Sequence, residues 1–248
     1  MDYVLFYLNK KIIFRNGEAM SHILKEVLNN ISIDCVIFGF EKSTLEILLI
    51  KRAINPCKGM WALPGGFIKK KELVEDAAQR ILKATTGVGN IYLEEIAVID
   101  KVDRYPTRRV LTLAHYALIS PEDYQLTTGV DTTEVKWFRL EELPELALDH
   151  KSIIDIALNK LRARVRYRPI GFELLPQKFT LPQLQILYEV ILGKDLDKRN
   201  FRKKIFKMNL LKRLKEKDKN NKRRAAYLYR FEKNNYNKLK EEGFIFEL

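Results

Sequence analysis

A single break constrains this chain most. Pro64-Gly65-Gly66 stands between strand-like sequence and a stretch with helical spacing. Before it, residues 33–40 (IDCVIFGF) and 46–52 (EILLIKR) are short apolar runs split by the turn-like EKST, the pattern of a hairpin. After it, Val74, Ala77, Ala78, Ile81 and Leu82 recur at helical intervals over residues 73–85, and Gly87 supplies a stop. Further strands are predicted at 93–99, at 109–119 (RVLTLAHYALI) and at 135–138 (VKWF). LEELPEL (140–146) and residues 149–163 read as helical. Strands with helices between them predict an α/β/α sandwich, in an α+β chain once the C-terminal part is added.

The C-terminal part announces itself by charge. Residues 1–160 hold 21 Lys and Arg against 22 Asp and Glu; residues 161–248 hold 24 against 10, so the net +13 lies wholly in the last third. Such a region seeks a polyanion. RARVRYRP (162–169) reads as a basic connector. Beyond it, residues 181–193 form an amphipathic helix with Thr180 as N-cap, Pro182 in its first turn and Gly193 as stop. Asp197 can cap a second helix over 198–209, and LLKRLKE and AAYLYRF flank the polar turn KDKNNKRR as a two-stranded wing. Helix, turn, helix, hairpin is the order of a winged helix-turn-helix.

On a helical wheel, Phe201, Ile205 and Met208 share an apolar stripe, and Phe206 points outward without evident reason. Arg199, Lys203 and Lys207 lie opposite the stripe, with Asn200 and Arg202 on the flanks. Arg pairs with guanine and Asn with adenine, whereas Lys chiefly neutralises phosphate; Arg199 and Asn200 are the candidates for base contact. Arg223 and Arg224 at the wing tip are candidates for the minor groove or phosphate. Tyr227, Tyr229 and Phe231 alternate along the last strand and read as core packing.

Residues 65–88, GGFIKKKELVEDAAQRILKATTGV, resemble the Nudix box, with Gly66, Glu72, Arg80, Leu82, Gly87 and Val88 in register. KGMWALPGGF before the box and EVKWFRLEELPEL after it agree. Hydrolytic members of that family hold Mg²⁺ or a similar ion with three glutamates, at i, i+3 and i+4 of one helix face. Here those positions are Ile81, Ala84 and Thr85, so the resemblance implies a Nudix fold without catalysis, metal or cofactor. Glu72 and Arg80 are expected to tie the loop to the helix. A displaced metal site from Glu72, Glu75 and Asp76 is a weaker reading, since acidic residues in a helix's first turn already offset its dipole.

The phrases PIGFELLP, FTLPQLQ-x-LYE and DKRNFRKK extend the resemblance to the Nudix-related transcriptional regulators. It implies a three-part chain: an N-terminal extension (1–30), a Nudix-like sensor (31–163) and a winged helix-turn-helix domain (164–248). It also implies a homodimer on palindromic double-stranded DNA, with a small effector in the Nudix domain. IDCVIFGF, the Asp149-His150 pair and the degenerate helix lean toward the pentose-sensing, arabinose-regulator-like branch rather than the ADP-ribose-sensing one. Candidate effector contacts are Arg52, Trp61, Phe67, Asp100, Asp103, Arg109, His115 and Tyr116, because aromatics stack a ring while Asp and Arg bond hydroxyls or phosphates. The enzymatic alternative, a hydrolase of a nucleoside diphosphate derivative such as ADP-ribose, needs the missing triad. An RNA-binding module needs exposed aromatic platforms, which the winged-helix pattern does not offer. Cys35 and Cys57 are too few for a disulfide framework, no apolar run reaches the roughly eighteen residues of a membrane span, and MDYVLFYLNKKIIFRNGEAM reads as a strand or short hairpin rather than a signal peptide. A cytoplasmic setting is expected.

Overall fold

The apolar run 33–40 is the middle of β1 (Val27–Glu41), and both of its faces are buried. Ile33, Cys35 and Ile37 enter one core while Val36 and Phe38 enter another, which is why the run is continuous rather than alternating. The computed structural model describes residues 27–129, 131–218, 225–242, 244 and 246. The expected hairpin forms: β1 returns as β2 (Thr44–Arg52) through Lys42 and Ser43, whose φ angles of 47° and 67° are the left-handed values a two-residue turn requires. β1 also pairs with β4 (Gly65–Lys69) and runs parallel to β6 (Leu111–Ile119). β3 (Trp61–Ala62), β5 (Glu94–Ile99) and β7 (Thr132–Arg139) complete a seven-stranded sheet among the described residues. α1 (Val74–Thr86) covers one face and α2 (His150–Arg164) the other, giving the expected α/β/α sandwich. Gly87 ends α1 at φ 80°, and a Cβ there would meet Thr127 Oγ1 at 2.3 Å.

LEELPEL is not the helix its composition suggested. Only a 3₁₀ turn forms, at Leu140–Glu142, because Leu143 precedes Pro144 and is held extended at ψ 133°.

The winged helix follows its caps. After β8 (Phe179–Thr180), α3 (Leu181–Leu192) opens with a capping box: Gln183 N donates to Thr180 Oγ1 (3.3 Å) and Thr180 N to Gln183 Oε1 (2.7 Å). α4 (Lys198–Lys207) opens on Asp197, whose carboxylate accepts from Asn200 N at 2.8 Å. β9 (Leu211–Lys217) and β10 (Tyr227–Phe231) form the wing, with β8 as third strand. Helix α5 (Lys233–Glu241) was not anticipated; Tyr236 and Leu239 seat it on the core, too few apolar positions to reveal a period.

The basic connector does not hold the domains apart. One continuous core runs from β1, β2 and α2 into α3, α4 and β10, and Arg162 Nε donates to Ile191 O (2.9 Å) across the junction. No helix among the described residues is long and apolar enough to cross a membrane. The predicted N-terminal strand or hairpin and the wing-tip residues Arg223 and Arg224 lie outside the described residues.

Candidate ligand cleft and DNA-binding face

The turn into α1 is built by two glycines and one ion pair. A Cβ on Gly65 would stand 2.2 Å from Asp34 Oδ1, so only glycine lets β4 cross that carboxylate. Glu72 accepts from both Arg80 Nη2 (2.7 Å) and Nε (2.5 Å) and from Lys69 N (3.0 Å), while Arg80 Nη2 also donates to Phe67 O (3.1 Å). The loop is tied to the helix as expected. The hydrogen bond from Arg80 is the main reason the Glu72 carboxyl sits below the usual glutamate range.

Beside this clamp a cavity of about 420 Å³ opens, and Ile81, Ala84 and Thr85 of α1 form part of its wall. Ile81 is buried against Gly66, and Thr85 Oγ1 donates to Ile81 O at 2.8 Å. No carboxylate stands at these three positions. Glu75 and Asp76 are exposed, and no group of three or more His, Cys, Asp or Glu among the described residues is arranged to hold a metal.

The inner wall carries a buried charge cluster. Arg104, with only 2% of its side chain exposed, donates to Asp149 through Nε (3.0 Å) and Nη2 (2.8 Å), and to Asp34 Oδ2 at 3.1 Å. Its Nη1 donates to Thr112, which is in turn 2.5 Å from Ser32 Oγ. Burial opposes the charge on Arg104, but the hydrogen bonds and charges of Asp149 and Asp34 outweigh it and hold the guanidinium above its ordinary pKa. His150 Nδ1 accepts from Leu63 N (2.9 Å), which fixes the proton on Nε2, 3.8 Å from Asp34 Oδ1. Burial lowers the His150 pKa and keeps the imidazole neutral. Aromatic and cationic groups stand at the mouth. Phe67 and Tyr105 meet edge-on at 6.2 Å, and the Arg108 guanidinium lies over both rings, at 4.8 and 5.2 Å.

In the winged helix, Phe201, Ile205 and Met208 are buried as the wheel required. Arg199, Asn200, Lys203 and Lys207 are exposed; Arg202 is half-buried, its Nε without a hydrogen-bond partner among the described residues. Phe206, 48% exposed, leans on Tyr229 of the wing at 5.9 Å, which explains its outward position. Tyr229 is buried and Phe231 stacks on Phe172 at 4.4 Å, but Tyr227 departs from the core-packing expectation. A bulge between Tyr227 and Tyr229 turns Tyr227 outward, where Arg213 lies 3.5 Å over its ring.

Comparison with known proteins fits this geometry domain by domain. The NUDIX domain model matches residues 28–156, and the NrtR DNA-binding winged helix domain model matches residues 171–231. The ADPR responsive transcriptional repressor NtrR of Acinetobacter baylyi is 34% identical over 209 residues, covering 83% of each chain. The chain belongs to the NrtR-type Nudix-related regulators. Crystalline Shewanella oneidensis NrtR complexed with a 27mer DNA shares the architecture at a TM-score of 0.71 and 31% identity, covering 82% of this chain and 94% of its own. The ADP-ribose pyrophosphatase of Methanocaldococcus jannaschii is 38% identical over 116 residues, 47% of this chain and 68% of its own. The lean toward a pentose-sensing branch is corrected here, because the regulator similar over most of the chain is an ADP-ribose-responsive one.

In this NrtR-type chain the structure brings two of the eight residues named as effector contacts to the cavity: Arg52, whose Nε donates to Pro56 O (2.7 Å), and Phe67. The others stand outside its lining. Trp61 packs edge-on against Phe138 at 4.6 Å, and Asp100, Asp103 and Arg109 are exposed. His115 is buried with Nδ1 3.0 Å from Leu113 O, and Tyr116 faces the junction with the winged helix. Both faces of β6 are buried, so the sequence offers no alternation to say which residue lies toward the cleft; Thr112 does so only indirectly, fully buried behind the lining and bonded to Arg104. Asp34, Arg104, Tyr105 and Arg108 were missed as cleft residues. The local signal for Asp34 was a carboxylate inside an apolar strand, which has to be paired when buried.

Proposed function

We propose that this chain is a DNA-binding transcriptional repressor, working as a cytoplasmic homodimer, whose Nudix cleft binds ADP-ribose or a close nucleotide without hydrolysing it. One observation carries the reading: a 420 Å³ cleft keeps the Nudix loop clamp but presents Ile81, Ala84 and Thr85 where hydrolases carry metal-binding glutamates, and it is fused through a shared core to a helix of exposed cations. Without those carboxylates little charge remains to draw a divalent ion onto a pyrophosphate. The Phe67–Tyr105–Arg108 group suits stacking of a purine, and Arg52 and Arg80 supply cations toward a diphosphate. α4 is proposed to enter the major groove, with Arg199 and Asn200 toward base edges and Lys203 and Lys207 toward phosphate; Arg202 flanks it, and Arg223 and Arg224 of the wing tip take the neighbouring backbone. In a dimer the two helices sit about one turn of DNA apart, roughly 34 Å.

The test is to incubate the purified chain with ADP-ribose and Mg²⁺ or Mn²⁺, following release of AMP alongside binding of the operator. The reading expects ADP-ribose to alter operator affinity and to be recovered intact. Metal-dependent turnover lost on changing Glu75 or Asp76 would instead make the chain a hydrolase, as its similarity to an ADP-ribose pyrophosphatase would then suggest.

A further inference from the structure

A second cavity, of about 630 Å³, lies where the domains meet, and it shares no lining residue with the Nudix cleft. One wall is Nudix sheet, with Glu94 of β5 and Tyr116 of β6; the opposite wall is β10 and α5; the end of the connector at Arg168 and the 3₁₀ turn Ile170–Leu174 that follows close the base. Its floor is aromatic: Phe172 stacks on Phe231 with planes 17° apart, and Tyr236 stands 6.0 Å from Phe231. Its charges are unbalanced. Arg164 is held by Glu94 and by Tyr116 Oη (2.8 Å), and Arg230 by Glu232 (3.0 Å). The side chains of Arg168, Lys233 and Lys240 are exposed at the rim and make no hydrogen bond or close ion pair with a described residue, against one carboxylate without a hydrogen bond, Glu173, which feels the charges of Lys233 and Arg164. Three cations over one carboxylate leave a site suited to an anion of about two charges, and a phosphate monoester carries about −1.5 to −2 at neutral pH. Flat aromatic floor and cationic rim together favour a ring bearing that phosphate.

We propose that this junction cavity is a second ligand site, taking a small phosphorylated metabolite with a flat ring, and that its occupant braces the two domains against each other. The inference is independent of what the Nudix cleft binds. Burial pushes the Tyr116 hydroxyl up to about 12, so it stays protonated, donating to Glu94 Oε2 (3.4 Å) and accepting from Arg164.

The probe is AMP, titrated calorimetrically into the full chain, with adenosine and inorganic phosphate as separate arms. AMP is expected to bind saturably and more tightly than either fragment. The double variant Arg168→Ala, Lys233→Ala, which changes only exposed side chains, should weaken AMP by about tenfold or more. AMP bound at the Nudix cleft would be lost on Phe67→Ala, but the component that the double variant removes should persist in Phe67→Ala, and AMP filling that component should slow amide exchange over residues 168–177. Three results would overturn the proposal: no saturable binding at millimolar AMP, binding removed by Phe67→Ala but untouched by the double variant, or phosphate bound as tightly as AMP.

Discussion

The Nudix cleft and helix α4 handle charge in opposite ways. Around the cleft, Arg104 lies buried between Asp34 and Asp149, and Glu72 is gripped by Arg80 along two bonds. On α4, Arg199, Lys203, Lys204 and Lys207 are all exposed and make no ion pair with a described residue. Buried charges have to be matched within the fold, because desolvation is costly and an unpaired partner is costlier still. Exposed, unmatched charges of one sign do little for the fold and leave a field that a polyanion can neutralise. The first region is shaped to keep its geometry around a small ligand, and the second to meet something outside the molecule.

Substitution should separate the two regions sharply. Arg104→Ala leaves two buried carboxylates unpaired and should cost about 3–5 kcal/mol, read as a large fall in melting temperature. If the protein melts as before, the cluster is not what holds the cleft. On α4, Arg199→Ala or Asn200→Ala should barely alter melting yet lose about 1–3 kcal/mol of discrimination between operator and mismatched DNA, measured by competition binding. Unchanged preference would move the recognition face elsewhere. Lys207→Ala should change stability by no more than about 0.5 kcal/mol, weaken all DNA sequences alike and reduce the salt slope by about one.

The smallest expected effect is a pH dependence confined to the buried cluster. The His150 pKa is depressed in the folded chain by burial, so the unfolded chain takes up a proton first as pH falls below about 6.5. The contribution of the neutral imidazole is fully present above that pH. It is lost progressively as pH falls toward the folded value. His150→Asn, which keeps an acceptor for Leu63 N, should flatten that part of the melting profile. An unchanged profile would assign the acid sensitivity to other groups.

What was legible in the sequence follows the same division. The two-sided apolar run of β1, the Pro64-Gly65-Gly66 break and the stop at Gly87 are local signals, and they led to the sandwich. Thr180, Pro182, Gly193 and Asp197 are local too, and they placed α3 and α4 within a residue or two of their ends. The outward face of α4 needed only helical periodicity. The inner wall of the cleft was not legible, because Arg104 meets Asp34 and Asp149 at separations of 70 and 45 residues and nothing in the chain marks them as neighbours. His115 and Tyr116 were named although neither lines the cleft, since a strand buried on both sides hides its register. Asp149 and His150 did stand out as a pair, but their role became visible only once His150 was seen to bond Leu63 N and Asp149 to hold Arg104.

If the inward-facing region governs the outward-facing one, the coupling is measurable in both directions. Titrating ADP-ribose calorimetrically into the free chain and into the operator complex yields two dissociation constants, and titrating operator with and without ADP-ribose yields two more. Each ligand should change the affinity of the other by the same factor, about 5–150-fold, with the ADP-ribose intact at the end. ADP-ribose bound equally well with and without operator, or consumed during the titration, would contradict it.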